Sequence, residues 1–256
     1  MSEIIMFWEP QKDEHGKEKP KPFYYDLCQQ TVINHNPTAR IIGMEEASNI
    51  IGGIPEAIKK HHIVHQVDWI RKMLIHKLGG LYVDSDFICL RSLDSVARMS
   101  EHFDMVLPKQ STGGWMDNVL IGKQGSKPIK HAADAALRIM TNKKRHIPMS
   151  QRRQRRKDHV QWLQPSVDAM TEAVEHWKRK SLILQLPTKW FHPTRIRNKS
   201  WFFEPKKESS IPYKESSFGF MTSYHLYKSE LNKFDSPKQF LDSDTRIANL
   251  INEGLN

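Results

Sequence analysis

Residues 67–90 read VDWIRKMLIHKLGGLYVDSDFICL. Within them Trp69, Ile70, Met73, Leu74 and Leu78 recur at spacings of three and four, which predicts a helix over His65–Leu78 with one apolar face. Gly79-Gly80 ends that helix, as a helix C-terminus prefers. Leu81-Tyr82-Val83 then reads as a strand running directly into Asp84-Ser85-Asp86. A helix returned by a glycine pair to an apolar strand that ends in acid side chains is a unit of an α/β domain.

The flanks repeat the alternation. Ile4–Trp8 is a short apolar strand ended by Pro10, and a polar loop follows to Pro22. Phe23–Asn36 fits a helix stopped at Asn36-Pro37, and Ala39–Gly43 a second strand. Downstream, Asp104–Leu107, Val119–Ile121, Leu182–Leu186 and Phe218–Thr222 read as strands. Lys127–Met140, Asp158–Lys180 (interrupted at Pro165) and Ser236–Ile251 read as helices. The expected organisation is one domain with a mixed, mainly parallel sheet. Its core is residues 1–142, a basic and helical elaboration spans 143–216, and a closing strand, site element and helix fill 217–256.

Composition narrows the class. The chain has 256 residues, enough to bury a core without covalent staples. Cys28 and Cys89 are its two cysteines, too few for a disulfide framework and suited to a reducing, cytoplasmic setting. No apolar run approaches the roughly 18 residues of a membrane span, and MSEIIMFWEP carries an acid and too short an apolar stretch for the secretory leader pattern. The net charge is +10, and Lys143–Lys157, KKRHIPMSQRRQRRK, holds eight lysines and arginines. That excess favours anionic partners such as phosphates, nucleic acid or an acidic membrane surface.

The chemistry centres on Asp84 and Asp86. A lone D-x-D is most often a polar turn. On a strand, however, positions i and i+2 face the same way, and two carboxylates there form a hard oxygen site for Mn²⁺ or Mg²⁺. Such a site would hold a diphosphate at the C-terminal edge of a sheet. Asp68 and Arg71 lie three apart on the preceding helix, hence on one face. Arg71 offers a planar fork to phosphate or sugar oxygens, and Asp68 an acceptor for sugar hydroxyls.

The pattern Asp68-x-x-Arg71 followed by Gly79-Gly80-x-Tyr82-x-Asp84-Ser85-Asp86 resembles the DXD-motif glycosyltransferases. These include capsular polysaccharide transferases, initiating mannosyltransferases and the glucosylating domains of bacterial toxins. The resemblance implies a glycosyltransferase A-type fold, a UDP- or GDP-sugar donor, a divalent metal and retention of anomeric configuration. It implies catalytic roles for Asp84, Asp86 and Arg71, and donor contacts from Asp68, Tyr82 and Ser85. It places Phe7 and Trp8 at the donor base, with Trp8 supplying a flat stacking face, and Asn118 or Asp117 near the donor sugar. Tyr224-His225-Leu226-Tyr227-Lys228-Ser229-Glu230 resembles the family's late H-x-x-x-S-W element, with Glu230 where tryptophan is usual, and adds His225 as a candidate metal ligand. The acceptor would be a glycan, a lipid-linked sugar or a protein hydroxyl, with polysaccharide or glycoconjugate synthesis as the setting and residues 143–157 available to an anionic membrane.

Two other classes use the same residues. A nucleic-acid-binding protein would exploit the arginines, but that run has no aromatic stacking platform before Trp162. A metal-dependent phosphodiesterase would use Asp84 and Asp86, though the surrounding glycine, tyrosine and Asp68-x-x-Arg71 pattern argues for sugar transfer.

Overall fold

A computed structural model describes residues 2–109, 114–141, 164–194, 199–205 and 217–256. The basic run 143–157 lies outside them. In chain order the elements are β1 (Ile4–Phe7), α1 (Phe23–His35), β2 (Arg40–Ile42), α2 (Met44–Ile51), α3 (Glu56–Lys59), α4 (Ile63–Leu78), β3 (Gly80–Val83), β4 (Phe87–Cys89) and α5 (Asp94–Ala97). There follow β5 (Met105–Pro108), β6 (Val119–Gly122), α6 (Lys127–Thr141), α7 (Ala169–Trp177), β7 (Ile183–Leu186), α8 (Lys199–Phe203), β8 (Gly219–Met221), α9 (Tyr224–Leu231), α10 (Pro237–Leu241) and α11 (Arg246–Leu255). Six strands form one mixed sheet in the order β2-β1-β3-β6-β5-β7, and β4 pairs with β8 apart from it. This is the α/β architecture expected, with a helical C-terminal part.

The chain forms two compact units, each discontinuous in sequence. The first comprises residues 1–2, 43–82 and 96–186. Here β5 pairs in parallel with β7 and antiparallel with β6. The buried face of α6 is largely Ala132, Ala133, Ala135 and Ala136, whose small side chains let α4 and α7 pack closely on it. Helix α4 ends where Gly79 and Gly80 take φ of 74° and 92°, a left-handed backbone that glycine adopts without strain. A side chain at Gly79 would also meet the Gln124 backbone nitrogen at 2.8 Å.

The second unit comprises residues 3–42, 83–95 and 187–256. In it β1 and β2 are parallel and β4 and β8 antiparallel. An aromatic core, including Tyr24, Phe202, Phe220, Tyr227 and Phe240, joins α1, α8, α9, α10 and α11.

Three expectations change. The closing helix is two helices, α10 and α11. Between them Thr245 turns its hydroxyl to the Ala248 amide and caps α11, because hydroxyl and acidic side chains compete with helical hydrogen bonding. The stretch around Pro165 is a single π-turn, Gln164–Asp168, that runs into α7. The expectation for residues 158–163 falls outside the described residues. Strand β3 stops at Val83, so Asp84-Ser85-Asp86 is a turn rather than strand: the Phe87 amide donates to the Asp84 carbonyl at 3.1 Å. Asp and Ser favour such turns because they can satisfy backbone groups locally.

Candidate functional site

In the second unit, the turn is organised around Ser85. Its hydroxyl donates to the Phe7 carbonyl at 2.7 Å and accepts from Gln29 Nε2 at 2.9 Å. Ser85 is therefore buried, while Asp84 and Asp86 on either side are only partly so. Asp84 and Asp86 thus flank a fixed point just beyond a strand end. Phe7 contributes its carbonyl here, and its side chain is buried in β1.

Asp86 is held by the segment after β8. The Thr222 hydroxyl donates to the Asp86 carbonyl, and the Tyr224 amide donates to Asp86 Oδ2 at 3.0 Å. The Tyr24 hydroxyl in turn donates to Thr222 Oγ1 at 2.7 Å. The late element picked out around His225 thus reaches the DSD turn through its first residue. His225 itself is exposed on the first turn of α9. Among the described residues no three His, Cys, Asp or Glu side chains form a group that could hold a metal. Asp84 and Asp86 are the two carboxylates at the turn. As hard oxygen ligands they fit a cation that takes its remaining positions from water and a diphosphate.

Trp8 follows β1 and is partly exposed. Its ring lies 4.5 Å from that of Tyr25, with Lys21 Nζ 5.2 Å over it. Tyr25 lies 4.8 Å from Tyr224. Burial, followed by the Asp86 and Asp84 charges, pushes the Tyr25 phenol up, so it stays neutral beside the carboxylates. Lys21 also pairs with Asp26 at 2.7 Å and donates to Gln29, the residue that fixes Ser85.

In the first unit, α4 carries Asp68 and Arg71. Both are buried rather than lying on the helix surface. Arg71 Nη2 donates to Asp68, Arg71 Nε lies 3.3 Å from Asp117 Oδ2, and the guanidinium sits 5.9 Å from the buried Tyr82 ring centre. His65 Nδ1 lies 3.7 Å from Asp68 Oδ2. Asp117 is also buried, accepting one hydrogen bond from the Lys72 ammonium and another from the Ser166 hydroxyl. Burial alone would raise its pKa, but the Arg71 and Lys72 charges outweigh that and hold the carboxyl below its ordinary range. Asn118 Oδ1 is buried and has no hydrogen-bond partner among the described residues.

The expected residues thus fall into two groups, Asp84, Ser85, Asp86, Phe7, Trp8 and His225 in one unit, and Asp68, Arg71, Tyr82, Asp117 and Asn118 in the other. Reading the sequence missed Lys72, Ser166, Gln29 and Thr222, and took Tyr224 only as the first residue of the late element. Lys72 alone left a trace: a lysine directly after Arg71 within an otherwise apolar stretch of helix.

No curated protein matches the chain. Among solved structures it is similar to one titled "PaToxG Glycosyltransferase", at 13% identity and a TM-score of 0.45, over 70% of this chain and 69% of that one. Residues 22–104 match the family described as "Glycosyltransferase sugar-binding region containing DXD motif". The Asp84-Ser85-Asp86 turn and the Asp68–Arg71 pair both lie inside that matched span.

Proposed function

We propose that this transferase moves a hexose from a UDP- or GDP-sugar to an acceptor hydroxyl, with a divalent metal and with retention, in polysaccharide or glycoconjugate synthesis. The observation that carries the reading is the DSD turn. Ser85 is pinned to the β1 carbonyl and to Gln29, leaving Asp84 and Asp86 as flanking hard ligands beyond a strand end. Asp84 and Asp86 would hold Mn²⁺ or Mg²⁺, with His225 the candidate for a further ligand. The bound cation would offset charge developing on the leaving diphosphate.

The chain's own residues do the rest. Trp8 would stack on the base. Arg71 would donate to phosphate or sugar oxygens, and Asp68 would orient sugar hydroxyls while fixing Arg71. Retention needs no protein nucleophile if the departing diphosphate takes the acceptor proton, and none is assigned. The acceptor class is a glycan, a lipid-linked sugar or a protein side chain. A lipid-linked acceptor would place the enzyme at the cytoplasmic face of a membrane. Among the described residues no helix is long and apolar enough to cross one; the basic run would supply contacts to its anionic surface.

The test is a panel of UDP- and GDP-hexoses incubated with the protein and Mn²⁺, since transferases of this kind slowly use water as acceptor. Release of a nucleoside diphosphate that stops in EDTA is expected. Absence of release and of binding across the panel would overturn the reading.

A further inference from the structure

Lys72 is fully buried, yet its ammonium is surrounded by acceptors from three segments. It donates to Asp117 Oδ2 ahead of β6, to the Asp68 carbonyl of its own helix at 2.6 Å, and to the Pro165 carbonyl in the π-turn at 3.0 Å. Ser166, in the same π-turn, donates to the other oxygen of Asp117. Asp68, Arg71, Lys72 and Asp117 thus form a buried array of two anions and two cations.

Arrays of this kind are weak devices for stability, because desolvation offsets most of the attraction and apolar replacements often do as well. What this one does is fix positions. Without Lys72, Arg71 would be the counter-ion nearest to both Asp68 and Asp117, and its guanidinium would be drawn to whichever lacked a partner. With Lys72 also on Asp117, Arg71 keeps Nη2 on Asp68 while its Nε stays 3.3 Å from Asp117, so the guanidinium is held between the two acids. The next residue, Asn118, has a buried Oδ1 without a hydrogen bond among the described residues. An unsatisfied buried acceptor costs about 1–3 kcal/mol, and a hydroxyl of a bound sugar would satisfy it.

We infer that Lys72 is a positioning residue: by neutralising and pinning Asp117, it aims Arg71 and Asn118 at the donor sugar. The inference rests on the donor-site reading above.

The full-length chain supplies the test, with the UDP- or GDP-hexose that the wild type hydrolyses, and with the matching free nucleoside diphosphate as the binding probe. Lys72→Met strands the Asp117 charge and should lower the melting temperature. Adding Asp117→Asn removes that charge and should restore most of it. The restored double variant should still lose about ten- to a hundredfold in kcat, the scale of a displaced reacting group, while nucleoside diphosphate affinity stays within about twofold, well under the 1.4 kcal/mol of a tenfold change. Ser166→Ala withdraws one hydrogen bond and creates no unpaired charge, so it tests the same idea even if both Lys72 variants fail to fold. It should lower kcat and leave nucleoside diphosphate affinity alone. Wild-type kcat in a folded double variant, or in Ser166→Ala, would make the array purely structural and overturn the role. So would nucleoside diphosphate affinity falling in step with kcat. If the wild type hydrolyses no donor, the donor-site reading fails first and the role of Lys72 falls with it.

Discussion

Asp86 has two functions at once, and they separate by substitution. Its carboxylate accepts the first amide of α9, while its carbonyl accepts the Thr222 hydroxyl. Asp86→Ala would therefore remove a helix-capping bond as well as a proposed metal ligand, and capping losses run to about 0.5–2 kcal/mol. Asp86→Asn keeps an oxygen for the Tyr224 amide and removes the charge. The expected outcome for Asp86→Asn is an unchanged melting temperature with metal-dependent donor hydrolysis reduced to background. Calorimetric Mn²⁺ titration and turnover on one preparation check it. Full activity of Asp86→Asn, or of wild type in EDTA, would dismiss a metal at this turn.

At the scale of elements, the readable parts were those whose signal is local. The period of α4, its glycine stop and the apolar run of β3 sit within 24 residues, and the structure has them within two residues of expectation. The β4–β8 pair was not readable, since its partners lie some 130 residues apart and Phe87-Ile88-Cys89 has no alternation to mark it. The burial of Lys72 was hidden for the same reason, its partners being 45 and 93 residues away. The Asp68–Arg71 pair could be placed on one helix face, but spacing does not say whether that face meets water or core. The β4–β8 pair yields its own prediction. A Cβ at Gly219 would lie 2.1 Å from the Ile88 carbonyl oxygen and 2.5 Å from the Phe87 ring. Backbone cannot yield as a side-chain tip can, so Gly219→Ala should destabilise by about 1–3 kcal/mol. Since Thr222 and Tyr224 follow this strand and hold Asp86, metal affinity should fall with it. Urea unfolding and Mn²⁺ titration measure the two effects, and an unchanged unfolding midpoint would contradict the packing.

For the whole molecule, pH and salt test different groups. Burial pushes His192 down to about 4 from its ordinary 6.5, and its Nε2 is enclosed without a hydrogen bond among the described residues. The unfolded chain then binds the extra proton between those values, so stability should fall as pH drops from about 6.5 toward 4, by up to about 3 kcal/mol. Asp117 acts lower: with its carboxyl depressed in the fold, its contribution holds above the ordinary carboxylate value and is lost only on further acidification. His192→Gln should flatten urea unfolding free energies between pH 6.5 and 4.5; the wild-type slope in that variant would assign the effect elsewhere. A salt response is expected from Lys143–Lys157, which holds eight positive charges and no acid in a chain of net charge +10. A lysine or arginine near an anionic leaflet contributes roughly 1 kcal/mol and is screened within a Debye length of about 8 Å at physiological salt. Eight such charges suffice for reversible docking, which a transferase acting on a lipid-linked acceptor requires. Replacing Arg152, Arg153, Arg155 and Arg156 by glutamine should weaken binding to phosphatidylserine vesicles on the order of a hundredfold or more at low salt. Donor hydrolysis should be spared, because the turn and the buried array are built from other segments. Loss of hydrolysis in a folded quadruple variant would put these arginines at the donor instead, and undiminished vesicle binding would remove the membrane from the argument.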